Sequence, residues 1–236
     1  MKRSIENFEQ WNEEMIAKYN PDKYHNSTNV IIRGIEFLRT RAVIKLLNVN
    51  YNDMVLDLGC GAGNMLEKML EGNFWGVDIS KTLLSAAKKR LNGRKLSLIY
   101  GNVESLPEKI KALKFDKVFC SEVLEHVLNP EKVIDEILSV TKPDGRVVIS
   151  IPNEDFINFL KSILIKLGLF GLLFPGISKK MDNEWHLHEM DLKSIKDLVS
   201  GKLKIITTKR IPFHFLPIRY VILCEIPKNE RTYNKF

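Results

Sequence analysis

Between Val55 and Gly63 the chain reads Val-Leu-Asp-Leu-Gly-Cys-Gly-Ala-Gly, an apolar run that turns into three glycines spaced two apart. Glycines in such a turn let the backbone take up positive φ and let a ligand approach bare amides. Asp57 stands two residues before the first of them. An acid there suits a ligand end that carries an ammonium group, not a pyrophosphate. The dinucleotide fingerprint G-x-G-x-x-G fits in neither frame, because Asn64 or Leu66 falls where the last glycine belongs. A second acid, Asp78, closes Gly76-Val77-Asp78-Ile79, 21 residues after Asp57. That spacing places a carboxylate at the end of the next strand, where it can hold a ribose diol. Asn102, Val103 and Glu104 follow the third apolar run in the same way.

A second group of reactive side chains lies in Ser121-Glu122-Val123-Leu124-Glu125-His126. If a helical turn starts there, Glu122 shares a face with Glu125 and His126. Two carboxylates and an imidazole can bind a divalent cation such as Mg²⁺, or His126 can act as a base. They can also do no more than shape a pocket. Trp185-His186-Leu187-His188 could add a fourth ligand or the base, and His186 and His188 read equally well as surface histidines.

These residues need a frame that brings strand ends together. Short apolar runs at Met54–Leu58, Phe74–Ile79, Leu96–Tyr100, Phe115–Cys120 and Val147–Ile151 alternate with helical stretches. Such alternation predicts an α/β fold with a parallel sheet covered on both faces. Ligands bind such sheets at the carboxyl ends of the strands, where every acid named above falls. Met1 to about Asn50 reads as helical, with Tyr24 or Arg33 able to reach a ligand. Two closing strands, Leu203–Ile211 and Arg219–Ile226, flank an aromatic, proline-bearing connection and suggest an antiparallel ending.

With these motifs the sequence resembles the class I S-adenosylmethionine-dependent methyltransferases. The likeness is close from Met54 to Asn153 and loose elsewhere. It is carried by Asp57–Gly63, Val77-Asp78-Ile79-Ser80, Asn102-Val103-Glu104, Phe115–Val127 and Pro143-Asp144-Gly145-Arg146. It implies a Rossmann-like, seven-stranded sheet of order 3-2-1-4-5-7-6 with strand seven antiparallel. It further implies that Gly59, Cys60, Gly61 and Gly63 face the methionine moiety of S-adenosylmethionine, and later of S-adenosylhomocysteine. Asp78 and Ile79 would then meet the ribose, Asn102, Val103 and Glu104 the adenine, and Ser121 the rim near the methyl group. Glu-x-x-Glu-His with a later histidine also resembles the metal site of small-RNA 3′-terminal 2′-O-methyltransferases and of ubiquinone-biosynthesis O-methyltransferases. By that likeness Glu122, Glu125, His126 and His186 would hold the cation.

Residues Phe156 to Pro175 are heavily apolar, with Asn158, Ser162 and Lys166 on a narrow polar stripe. Two lysines and two glycines argue against a membrane span. A lid over an acceptor site, a helix lying in a membrane interface and a dimer contact all fit, and relatives acting on lipophilic quinones carry a membrane-contacting insertion here. One domain results: a helical extension (1–50), a cofactor-binding core (54–153), a lid or insertion (154–190), and a C-terminal helix and strands (191–236).

Composition excludes disorder, since 44% of the 236 residues are hydrophobic and 28% charged. Of the net +7, six charges fall from Lys202 to Phe236, without the basic block of a nucleic-acid binder. Three cysteines without metal spacing read as reduced thiols of an intracellular, cytoplasmic protein, and the first 30 residues lack a secretory h-region. The expected function is O-methylation of a small, lipophilic acceptor by an enzyme that touches a membrane peripherally at most, a homodimer being open. The rival is a metal-dependent RNA ribose 2′-O-methyltransferase, which the apolar insertion disfavours. A non-catalytic cofactor-binding scaffold ranks below both, because nothing in the glycine loop is degraded.

Overall fold

A computed structural model describes residues 8–22, 27–175 and 184–227. Seven strands form one sheet: β1 (Met54–Leu58), β2 (Asn73–Asp78), β3 (Leu96–Tyr100), β4 (Phe115–Ser121), β5 (Thr141–Pro152), β6 (Lys204–Phe213) and β7 (Leu216–Glu225). Their order is β3-β2-β1-β4-β5-β7-β6, with β7 antiparallel to both neighbours and the first five parallel. The order reverses between β1 and β4, and a crevice opens there. Register aligns the strand ends around it: Asp57 pairs with Gly76 on one side and Phe119 on the other, and Ser121 pairs with Ser150.

The apolar runs are strands because both sheet faces are covered. Leu56, Leu58, Val118, Cys120, Val147 and Ile149 join one buried layer, whereas Val55, Phe119, Val148, Val221 and Leu223 join the other. Each large apolar side chain so buried stabilises the fold by about 1.5–3 kcal/mol. Helix α1 (Phe8–Tyr19) and helix α2 (Val30–Leu47) make up the described part of the N-terminal helices that the sequence suggested. Asn29 caps α2, its side chain accepting from the amides of Ile31 and Ile32. Along the sheet follow α3 (Asn64–Glu67), α4 (Lys81–Arg90), α5 (Glu108–Lys111) and α6 (Pro130–Val140). Ser80 caps α4 directly beyond the end of β2, and Asn129 caps α6 beyond the segment that follows β4. The insertion folds as α7 (Glu154–Lys166) and α8 (Phe170–Leu173), and α9 (Leu192–Val199) begins with a capping box on Asp191.

The β6–β7 connection is tighter than the sequence suggested. Proline occurs at Pro212 and Pro217, yet the two pair across the strands, leaving His214 and Phe215 as the turn. Pro212 lies on the edge strand β6, and Pro217 lies at the start of β7, before its pairing with β5 begins at Arg219, so neither interrupts a ladder that needs its donor. Pro143-Asp144-Gly145 bulges out where pairing jumps from Phe115↔Thr141 to Lys117↔Arg146. A third apolar cluster joins Phe8, Trp11 and Ile16 of α1 to Ala62, Leu83 and Trp185, closing α1 over the glycine loop. Of the N-terminal residues expected to reach a ligand, Arg33 is exposed on α2 and Tyr24 lies outside the described residues.

Candidate active site

Two cavities meet at the carboxyl end of the sheet. The first, about 190 Å³, is walled by Asp57, the Gly59–Met65 loop, Asp78, Ile79, Asn102 and Val103, with Phe8, Asn12 and Ile16 of α1 as its roof. The glycines earn their places differently. Gly59 and Gly63 have φ of 75° and 79°, and a Cβ on either would lie 2.4 Å from Val123 or 2.7 Å from Leu91. Gly61 is also left-handed, but its nearest neighbour would be Leu83 at 3.9 Å. That open side faces the cavity.

Asp78 sits behind this loop, accepting from the Gly61 amide (2.7 Å) and the Ser80 amide (2.8 Å). Burial raises its pKa, and those amides hold the rise in check. Asp57 is 2% exposed, and its Oδ2 has no hydrogen-bond partner among the described residues. Burial and the nearby Asp78 charge push its pKa well up, with Arg39 opposing them. A desolvated, half-satisfied carboxylate on a cavity wall is a receptor for a cation.

Arg39 was not anticipated. It is buried on α2, donates to Glu36 (2.5 Å) and to the Ser121 hydroxyl, and lines both cavities. Burial works against its charge, but Glu36 and Glu122 outweigh it and hold the pKa above the ordinary value. The sequence did carry a signal, since Arg39 falls four residues from both Ile35 and Val43, in phase with the helix's apolar stripe.

Other expected residues fall elsewhere. Glu104 does not line the cavity: its two carboxylate oxygens accept from the amides of Leu128 and Asn129, both at 2.9 Å. Gly63 serves packing against Leu91, and Cys60 is a buried part of the wall. Ser121 lines the cavity, its hydroxyl 2.8 Å from that of Ser150.

The second cavity, about 280 Å³, adjoins the first, and Arg39, Glu122, His126 and Trp185 line both. Its far wall is apolar, formed by Ile157, Leu160 and Leu164 of α7, Phe170 and Phe174 around α8, and Ile32 and Ile35 of α2. Its near wall is charged. Here the expected helical turn is absent, because Glu122 adopts φ 56° and only Leu124–His126 form a turn. Glu122 therefore leaves its assumed partners, accepting from Ser150 (3.1 Å) and pairing with Arg219 (2.7 Å).

Glu125, His126 and His186 do come together, each with one ligand-type atom within 4.8 Å of the others. Glu125 is 1% exposed, its Oε2 lacks a hydrogen-bond partner among the described residues, and burial beside Glu122 pushes its pKa up to about 8. Burial and the neighbouring His186 press His126 down to about 3, so it stands neutral with a lone pair to give. An orphaned carboxylate oxygen and a neutral imidazole fit a divalent cation. His188 stands apart, with Nε2 2.9 Å from the Val127 carbonyl oxygen.

Known proteins share the domain and the fold. A family model described as a methyltransferase domain matches residues 50–194. A ubiquinone biosynthesis O-methyltransferase of Coxiella burnetii is 29% identical over 179 residues, 74% of each chain. The enzyme of that name from Dechloromonas aromatica is 38% identical over 114 residues, 47% of this chain and 49% of its own. Among solved structures, the N-methyltransferase NodS of Bradyrhizobium japonicum in complex with S-adenosyl-L-homocysteine superposes with a TM-score of 0.66, over 94% of this chain and 100% of its own, at 16% identity. The sheet order, the glycine loop and the matched domain lead to one conclusion: the chain belongs to the S-adenosylmethionine-dependent methyltransferases.

Proposed function

We propose that this methyltransferase transfers a methyl group from S-adenosylmethionine to an oxygen of a small, lipophilic acceptor held in the second cavity. The observation that carries this reading is the shared wall. Arg39, Glu122, His126 and Trp185 stand between a cavity that carries Asp57, Asp78 and the glycine loop, fit for the donor, and a chamber whose far wall is apolar. Asp57 would take the ammonium group, Arg39 the carboxylate, Asp78 and Ile79 the ribose, and Asn102 with Val103 the adenine. The sulfonium donor supplies an already activated methyl group, so the protein's task is alignment and exclusion of water. Trp185 and α1 close the donor side, and α7 with α8 closes the acceptor side.

Glu125, His126 and His186 would hold a divalent cation, with Glu122 committed to Arg219. When bound, such a cation would lower the pKa of an acceptor hydroxyl. The relatives named for ubiquinone biosynthesis support an O-methylated, lipophilic acceptor. On this reading residues 1–236 work as one unit, 154–190 being its lid. The outward face of that lid, with Phe159, Leu167 and Leu172 exposed beside Lys166, would rest on a membrane surface. No helix among the described residues is long and apolar enough to cross one.

Labelled S-adenosylmethionine incubated with the protein and a fractionated cell extract tests the proposal, with divalent metal or with chelator. Label entering the organic phase and falling on chelation is the expected outcome. Label confined to RNA would overturn the acceptor assignment, and label that ignores exhaustive chelation would remove the cation.

A further inference from the structure

Both imidazoles of the Glu125–His126–His186 cluster have Nδ1 facing an acceptor. His126 Nδ1 lies 3.4 Å from the Trp185 carbonyl oxygen, and His186 Nδ1 lies 2.6 Å from Glu154 Oε1. A ring that donates from Nδ1 keeps its lone pair on Nε2, and His126 Nε2 does face Glu125, at 4.0 Å from Oε1. Glu154 is itself 6% exposed, and its amide donates to the Met190 carbonyl at 3.2 Å. It is also the first residue of α7, the helix whose Ile157, Leu160 and Leu164 line the acceptor chamber.

We propose that Glu154 is the positioning residue of this cluster: it fixes His186 as the Nδ1–H tautomer and so presents Nε2 to a divalent cation shared with Glu125 and His126. The proposal rests on the cation reading above and adds a link to it. The strap that carries His186 is held to the Glu125 turn by backbone, with the amides of Leu187 and His188 both donating to the Glu125 carbonyl oxygen. Those bonds place the strap but leave the tautomer of the ring open. The carboxylate of Glu154 decides it, and that carboxylate is carried by the lid. Seating α7 over the acceptor and completing the cation set are therefore one event. Carboxylates that orient a ligating histidine typically change metal affinity by about 10–100-fold.

Two measurements on the full chain separate this inference from the reading beneath it. Co²⁺ is titrated into the parent, Glu154→Ala and Glu154→Gln proteins and followed by visible absorption, with S-adenosylhomocysteine affinity as the folding control. The parent is expected to bind Co²⁺, Glu154→Ala to bind it at least tenfold more weakly, and Glu154→Gln to recover part of the loss, since an amide oxygen still accepts from Nδ1. ¹⁵N chemical shifts of the His186 ring in the metal-free proteins give the second readout. The parent should show Nδ1–H, and Glu154→Ala should shift toward Nε2–H. Equal Co²⁺ affinity in parent and Glu154→Ala, or an unchanged His186 tautomer, overturns the role of Glu154. A parent that takes up no Co²⁺ but shows the Nδ1–H tautomer overturns the cation reading alone and leaves Glu154 as the residue that orients His186.

Discussion

The two cavities share a wall yet are built in opposite ways. The donor cavity takes half of its wall from one stretch of chain, Asp57 to Val103, in which each strand end delivers its residue in sequence order. The acceptor chamber gathers α2, the Glu122–His126 turn, α7, α8, the Trp185–His186 strap and Arg219 of β7. A local site is written as a motif, because register alone brings adjacent strand ends level. A site assembled from distant segments is written as single residues that look ordinary until the fold juxtaposes them. The first should fail when a polar atom is lost, and the second when its apolar shape or its few charged anchors change.

The largest effect is expected at Asp57. Removing a charge-assisted contact from a buried site costs about 3 kcal/mol, so Asp57→Ala should weaken S-adenosylhomocysteine binding about 100-fold by calorimetry. The ligand-free fold should respond in the opposite sense. Folding raises this pKa from 3.8, so the fold loses stability as the pH climbs above the unfolded value and the buried carboxylate has to be charged. Ligand-free Asp57→Asn should therefore melt above the parent at neutral pH while binding the product poorly. A lower melting temperature would show that Asp57 supports the fold rather than the ligand.

Next comes the loop itself. Gly59→Ala forces a Cβ against Val123 in left-handed backbone, and about 2 kcal/mol of stability should be lost in denaturant titration. Gly61→Ala meets only open space toward Leu83, so its cost should be limited to the backbone, about 1 kcal/mol. Equal losses would mean that the two glycines are not distinguished by packing. On the acceptor side, Ile157→Asp with Leu164→Asp should raise KM for a lipophilic acceptor about tenfold. Product affinity should stay within about twofold, because neither residue touches the donor cavity. An unchanged KM would remove α7 from the acceptor site.

The same contrast explains what could be read from the residues alone. Strand–helix alternation and the glycine loop were legible because both are local, and the sheet order came with the family resemblance that the loop carries. Glu125, His126 and His186 were within reach as residue types, but the helical turn assumed to gather them around Glu122 does not form. With Glu122 in left-handed backbone its carboxylate turns to Arg219, a partner 97 residues away that no spacing rule could name. Glu154 gave no signal at all, standing two residues ahead of the apolar run that begins at Phe156. Arg39 gave a faint one, a charge in phase with buried positions.

Glu104 draws the finest line between motif and fold. Its place after the third strand suggests an adenine contact, yet its carboxylate bridges the amides of Leu128 and Asn129. Those amides lead into α6, where Asn129 is the cap. Glu104 thus fastens the far end of the turn that carries Glu125 and His126. Glu104→Ala should cost about 1 kcal/mol of stability, as loss of a helix-entry contact does. Product affinity should fall by less than about threefold, since Val103, not Glu104, meets the cavity. Tenfold weaker binding with an unchanged melting temperature would return Glu104 to the adenine end. A lower melting temperature with normal binding would instead place it under the second cavity, an acid inherited from the donor motif that holds up the acceptor wall.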